Sequence, residues 1–225
     1  MFPIDLIGVY AVGGTSFGMH ESQSRLWENH IVRSRDFWRL NFADLQAHFP
    51  DQLGDVDAEA FYRAVTHTEP SLIRVEADQL TDDLHVMLRV ELECALMDGS
   101  LDVADLPRVW NDTIRRDLGV EVPNDTQGVL QDIHWSTGYV GSFPSYTIGN
   151  VTAAQLMDIL RRDDARLDAA IAKGDHAVLA DKLRTEVWQH GGRFTRDEML
   201  IRTTGRALEA GPLIAYLRSK NASGT

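Results

Sequence analysis

The chain has 225 residues, 44% hydrophobic and 25% charged, so it is long enough to bury a core and too apolar to be disordered or fibrous. Its net charge of −12 disfavours nucleic acid and anionic membranes as partners, since neither offers the cations that an acidic surface attracts. The apolar start is interrupted by Pro3 and Asp5 and lacks the basic residues of a signal peptide, and no other run approaches a membrane span. We therefore expect a cytoplasmic protein.

Cys94 is the single cysteine, so an internal disulfide is impossible and a reducing compartment is favoured. It lies next to Ala95 in a helical pattern of apolar residues. That position predicts a small buried apolar side chain.

Apolar residues at helical spacing predict an all-α protein with one mostly helical domain. Residues 1–15 read as a strand or loop that ends in a turn at Gly13-Gly14. Thr15 or Ser16 can cap a long amphipathic helix that runs to about Phe49, where Pro50 ends it.

A short helix is expected over about 57–67, followed by a long helix from Ser71 to about Met97 that Gly99 closes. The next helix, 105–117, carries Pro107 in its first turn. Residues 119–149 are the least regular part, with one short helical piece near 129–134. Loops of this kind on a rigid scaffold often carry binding residues.

The last third of the chain is predicted to be helical again. Thr195 and Glu198 have the spacing of a capping box, and the tail from Lys220 is expected to fray. The predicted helices are about 151–162, 165–173, 176–190, 195–204 and 211–219.

His20 and Glu21 open the first polar motif, His-Glu-Ser-Gln-Ser-Arg, which ends at Arg25. A glutamate at a helix start is common because the helix dipole favours it there. The alternative is a metal ligand, but a zinc site needs three protein ligands, and His-Glu-x-x-His occurs nowhere in the 225 residues.

Arg74 and Asp78 belong to the second motif, Ile-Arg-Val-Glu-Ala-Asp. If this segment is helical, the two residues are four apart and can form a surface ion pair. Alternatively, Arg74 points into a cavity, where its fork of donors matches a carboxylate such as the free end of a peptide.

Asp132 and His134 lie in the third motif, Gly-Val-Leu-Gln-Asp-Ile-His-Trp, and Tyr146 follows shortly after it. Together they make a donor and acceptor set that could polarise a carbonyl or move a proton. The alternative for His134 is a packing residue beside a tryptophan. Serine-hydrolase, phosphate-loop and dinucleotide motifs do not occur in the sequence.

Taken in order, the three motifs resemble those of the carboxypeptidase Taq family of zinc carboxypeptidases. The likeness also includes Pro70-Ser71-Leu72, Leu84-His85 and Tyr146-Thr147-Ile148-Gly149-Asn150, and it covers nearly all of the chain from about Gly14. It implies a helical, groove-shaped fold, a zinc ion and a homodimer. The implied activity is removal of single residues from peptide C-termini. Residues 1–14 do not resemble the family, so we divide the chain into an atypical segment, 1–14, and a family-like helical region, 15–225.

The resemblance assigns a role to each polar residue of the motifs. Glu21 corresponds to a zinc ligand and Arg74 to the arginine that binds the carboxylate of the substrate. His134 and Tyr146 correspond to groups that bind substrate and stabilise the transition state. The supporting residues are His20, Arg25, Asp78 and Asp132.

The family's other two zinc ligands and its general base come from a His-Glu-x-x-His helix, and the sequence lacks that motif. The chain therefore resembles the C-terminal part of such an enzyme, and we expect it to be weak or inactive alone. Two alternatives remain open. The chain is a non-catalytic half that binds peptide C-termini and is completed by another polypeptide, or it is a truncated remnant. Exposed helix faces are expected to make it associate.

Overall fold

The computed structural model describes residues 7–222, and the all-α prediction is confirmed, since helices and turns without strands make up this range. The expected strand or loop at the start lies outside the described residues for 1–6, and so does the tail for 223–225. Five helices precede the middle of the chain: α1 Phe17–Arg25, α2 Arg35–His48, α3 Pro50–Leu53, α4 Ala58–Val65 and α5 Asp82–Asp98. Six follow: α6 Leu106–Leu118, α7 Pro144–Asp163, α8 Leu167–Ile171, α9 Ala177–Glu186, α10 Arg196–Thr204 and α11 Gly211–Ala222.

The helices belong to two compact units. Unit 1 comprises Met1–Val65 and Ile148–Thr225, and unit 2 comprises Thr66–Thr147. The core of unit 1 packs α7 and α9 against residues 19–31, and Leu26, Met157 and Leu183 are fully buried in it. The core of unit 2 packs α5 against α6 around Trp110, which is 1% exposed.

The long helix predicted up to Phe49 is interrupted. After α1 the chain continues as a π-helical stretch, Leu26–Val32, and breaks before α2. Ser34 is the N-cap of α2. Its hydroxyl accepts a hydrogen bond from the amide of Phe37 at 3.2 Å and donates one to the carbonyl of Ile31 at 2.6 Å. The expected cap at the start of α1 is confirmed as Ser16.

The predicted helix from Ser71 is wrong in its first half, since α5 begins only at Asp82. Asp78 competes with the helix there: its carboxylate accepts hydrogen bonds from the amides of Leu80 and Thr81 and from the hydroxyl of Thr81. Gly99 does end α5, at a φ of 78°. Cys94 is exposed rather than buried, because it lies on the outer face of α5.

Local signals predict the remaining helices better. Pro107 is in the first turn of α6, and the Thr195–Glu198 capping box opens α10. However, α7 begins at Pro144, several residues before the predicted start, and thereby includes Tyr146 in its first turn. None of the helices in residues 7–222 is long and apolar enough to cross a bilayer.

Candidate functional site

Two arginines share one carboxylate in unit 2. Arg74 donates from Nε and Nη2 to Oδ1 of Asp132, at 3.0 and 2.7 Å. Arg89 donates from Nε to Oδ2 at 2.6 Å, and its Nη2 lies 2.5 Å from the same oxygen. Arg74 is 6% exposed and Arg89 is fully buried. The carboxylate is thus flanked by two positive charges inside the protein.

Gln131 holds the segment that carries Arg74. The amide of Arg74 donates to Oε1 of Gln131 at 2.9 Å, and Nε2 of Gln131 donates to the carbonyl of Leu72 at 2.9 Å. This side chain therefore replaces the backbone partners that a helix would have supplied. It also explains why Arg74 lies in a single 3-10 turn, Arg74–Glu76, beside the third motif.

The shared carboxylate changes the protonation behaviour of its neighbours. Burial by itself raises the pKa of Asp132, but the hydrogen bonds and charges of Arg74 and Arg89 outweigh it and hold this pKa below its usual range. Burial lowers the pKa of Arg89 to about 10 in spite of Asp132. Asp132 is therefore ionised, and Arg89 is protonated, at neutral pH.

His134 and Tyr146 meet beside this cluster. Nε2 of His134 lies 3.1 Å from the hydroxyl of Tyr146, whereas its Nδ1 is 3.8 Å from Asp132, too far for a hydrogen bond. Burial lowers the pKa of His134, so its imidazole is neutral at pH 7. The hydroxyl of Thr147 donates to Asp83 at 2.7 Å and fixes the turn of α7 that carries Tyr146.

Aromatic rings cover the two guanidinium groups. The centre of the Arg74 guanidinium is 4.9 Å from the ring centroid of Tyr146, and that of Arg89 is 4.6 Å from the ring of Trp110. Phe143, fully buried, lies 5.6 Å from Arg74 and 5.5 Å from Arg89. These faces attract cations and exclude water, which strengthens electrostatic interactions within the cluster.

Arg74, Asp132, His134 and Tyr146, which the sequence singles out, are thus brought together in unit 2. The ion pair between Arg74 and Asp78 does not form, since Arg74 is not helical and pairs with Asp132. Arg89 is the residue that the sequence analysis missed. No local signal marks it, because an arginine on an amphipathic helix ordinarily faces solvent.

Glu21 lies in unit 1 on α1, with a side chain that is 27% exposed. Its Oε1 accepts from Nε of Arg25 at 2.8 Å, and its Oε2 accepts from the hydroxyl of Ser24 at 3.1 Å. Gly149 on α7 packs against the Glu21 side chain so closely that a Cβ at position 149 would lie 2.6 Å from Cγ of Glu21. The glutamate is therefore positioned by its own helix and by a glycine that permits close helix packing.

His20 is exposed and lies over Gly14, where a Cβ would come within 2.2 Å of its Nε2. It borders an apolar cavity of about 150 Å³ in unit 1, together with Met19, Gln23 and Trp188. Gln23 accepts from the indole nitrogen of Trp188 at 2.8 Å.

A metal does not fit the described residues, 7–222, by themselves. Within residues 7–222, no three His, Cys, Asp or Glu side chains converge in a way that could hold an ion. Glu21 is a lone carboxylate already bound by Arg25 and Ser24, and a catalytic zinc needs three protein ligands. We therefore derive no chemical step through a metal.

The chain matches the family model described as carboxypeptidase Taq (M32) metallopeptidase over residues 2–221. It is 43% identical to thermostable carboxypeptidase 1 of Thermus thermophilus, over 92% of this chain and 41% of the relative. It is 38% identical to carboxypeptidase 1 of Bacillus subtilis, over 96% of this chain and 43% of the relative. The solved M32 carboxypeptidase of Deinococcus radiodurans superposes with a TM-score of 0.94 at 44% identity, over 99% of this chain and 45% of that chain.

The chain thus spans less than half the length of these relatives. The match nevertheless extends through both units and includes all three polar motifs. A metal cofactor is implied for the family as a whole. The chain belongs to the carboxypeptidase Taq family of metallopeptidases.

Proposed function

We propose that this chain forms the substrate-recognition part of a metallocarboxypeptidase that removes single residues from peptide C-termini. In this role Arg74 binds the free carboxylate of the peptide. The observation that carries the proposal is the sharing of Asp132 between Arg74 and Arg89, which leaves the three groups with one surplus positive charge. A buried surplus charge of this sign favours an anionic ligand.

The geometry of Arg74 supports this role. Its Nε and Nη2 are bound to Asp132, and within residues 7–222 its Nη1 makes no hydrogen bond. Arg74 therefore keeps a donor for a second carboxylate while Asp132 fixes the plane of the guanidinium. A guanidinium held in this way loses less side-chain entropy on binding than a free one.

His134 and Tyr146 supply hydrogen-bond donors and acceptors next to that charge. The hydroxyl and imidazole are 3.1 Å apart, and Nδ1 of His134 has no hydrogen-bond partner among the described residues. Because the imidazole is neutral at pH 7, it can donate from one nitrogen and accept at the other. We assign both side chains to orienting the scissile carbonyl of the peptide.

The test of carboxylate recognition is a calorimetric titration with an N-acetylated dipeptide and with its C-terminal amide. We expect the acid to bind more tightly, and Arg74→Met to weaken acid binding by about 10- to 100-fold, the range for a hydrogen bond to a charged group. Arg108→Met is the matched control, because Arg108 is 65% exposed in the same unit and forms its ion pairs with Asp105 and Asp112. Equal affinity of the wild-type chain for acid and amide would refute the assignment.

We further propose that the chain alone does not hydrolyse peptides, and that zinc is held only when other residues complete the set to which Glu21 contributes. The lone carboxylate of Glu21 supports this view. Purified chain should contain far less than one zinc per molecule and should release no C-terminal residue from a blocked dipeptide. Stoichiometric zinc together with zinc-dependent turnover would overturn the proposal.

A non-catalytic half completed by another polypeptide remains the second candidate. The retention of Arg74, His134 and Tyr146 in one buried cluster favours it over a remnant without function, because two buried arginines on one aspartate are costly to keep unless they are used. Peptide-acid binding without hydrolysis would support this candidate, and absence of both would favour the remnant.

A further inference from the structure

Arg89 lies behind Asp132, and the proposed function counts its charge without saying how Arg89 acts on the ligand. Its side chain is fully buried on α5, so it cannot reach a ligand directly. Its Nε and Nη2 contact Asp132, and its Nη1 donates a hydrogen bond to the carbonyl of His85 at 2.8 Å. The ring of Trp110 lies 4.6 Å from its guanidinium and fixes that plane. Any effect of Arg89 on substrate must therefore pass through Asp132.

The charges around Asp132 show what that effect is. With Arg74 alone, Asp132 would form a neutral pair, and Arg74 would have no net charge to offer a peptide carboxylate. With Arg89 bound to Oδ2, the negative charge of Asp132 is divided between two guanidinium groups. Asp82 also acts on Arg89, so the hydrogen-bonded trio of Arg74, Asp132 and Arg89 carries one surplus positive charge, which Asp82 offsets in part.

We propose that Arg89 is a positioning residue that offsets the charge of Asp132 and so leaves Arg74 able to bind an anion. This inference rests on the proposed function, since the anion is the carboxylate of the peptide. Asp132 then has two roles: it orients Arg74 through Oδ1, and it is held in place and electrostatically offset by Arg89 through Oδ2. Removing Arg89 should preserve the orientation of Arg74 while cancelling its net charge.

The test compares the ratio of the Kd of the peptide amide to the Kd of the peptide acid in four chains: wild type, Arg89→Met, Asp132→Asn and the double variant. We expect Arg89→Met to reduce the ratio about tenfold, the scale of one unit charge acting over several ångströms in a partly buried site. Asp132→Asn should raise acid affinity. The double variant should regain the wild-type ratio to within about threefold, because Arg74 again carries an unopposed charge.

Recovery in the double variant separates a charge effect from a structural one, since a merely destabilised site would get worse with a second substitution. Arg108→Met controls for loss of a positive charge elsewhere in the unit and should leave the ratio unchanged. An unchanged ratio in folded Arg89→Met, or failure of the double variant to recover, would overturn the proposal.

If Arg89→Met does not fold, Asp132→Asn alone still decides, because weaker acid binding in that variant would contradict the charge argument. The proposed function fails in a different way. If the ratio of the two Kd values in the wild type is near one, the chain does not recognise the peptide acid, and the proposed function is refuted together with the role of Arg89.

Discussion

Burial sets the protonation state of single histidines in both units. His30, 6% exposed in unit 1, has its pKa lowered to about 3 by burial first and then by the charges of Arg161 and Lys220. His85, fully buried in unit 2, has its pKa lowered to about 4 by burial and by Arg89 and Arg74. Both imidazoles are neutral in the folded protein at any pH above 5.

This difference makes stability depend on pH. Below about pH 6.5 the unfolded chain binds a proton at each histidine and the folded chain does not, so stability falls as pH falls. Between pH 7 and 5 each histidine should account for a loss of about 2 kcal/mol. Urea denaturation at the two pH values measures this loss.

His30→Phe isolates one of the two contributions. Phenylalanine can keep the ring contact with Tyr216, whose centroid lies 4.1 Å from that of His30. The variant should lose about 2 kcal/mol less than the wild type between pH 7 and 5. Equal losses of unfolding free energy in the two proteins would show that His30 does not take up a proton when the chain unfolds.

At the level of elements, the packing of α1 on α7 is set by Gly149. A methyl group there would lie 2.6 Å from Cγ and 2.8 Å from Cβ of Glu21, inside any van der Waals contact. Glu21 is fixed in turn by Arg25 on its own helix, which limits its ability to move aside. The glycine is therefore required by close approach rather than by an unusual φ.

Gly149→Ala should destabilise the protein by about 1–3 kcal/mol, the cost of overpacking a core. This sign is informative, because alanine in place of glycine within a helix otherwise gains about 1 kcal/mol. Gly211→Ala is the control, since a Cβ at position 211, at the start of α11, meets no atom within 4 Å. A neutral or stabilising effect of Gly149→Ala, measured by urea denaturation, would contradict the close packing.

Helix starts that depend on nearby residues could be predicted from the sequence, whereas segments held by distant residues could not. The starts of α1, α6 and α10 follow from Ser16, Pro107 and Thr195, because a cap acts within a few residues. The loop before α5 could not be predicted, since Gln131, 57 residues away from Arg74, supplies its hydrogen bonds. The pairing of Arg74 with Asp132 and the burial of Arg89 also depend on residues far away in the sequence, so they could not be predicted either.

For the whole molecule, α5 leaves apolar side chains in solvent. Leu84 is 36% exposed and Met87 is 49% exposed, and they are one turn apart on the outer face of the helix. The chain also spans less than half the length of its relatives. We propose that this face mediates association with a second copy of the chain.

Light scattering should show purified chain to be larger than a monomer. The double variant Leu84→Glu, Met87→Lys keeps the net charge and should shift the population toward monomer, because it removes apolar surface from the contact. Val103→Lys is the control, since Val103 is 75% exposed outside α5. A clean wild-type monomer, or equal association of all three proteins, would contradict the proposal.

The claim that Arg74 and Arg89 together present a surplus positive charge to a peptide carboxylate is tested most directly by nitrogen-15 NMR of the arginine side chains. During titration with the N-acetylated dipeptide acid, the resonances of Arg74 and Arg89 should shift and saturate, and the C-terminal amide should leave both in place. Shifts confined to exposed arginines such as Arg108, or equal shifts with acid and amide, would contradict the account.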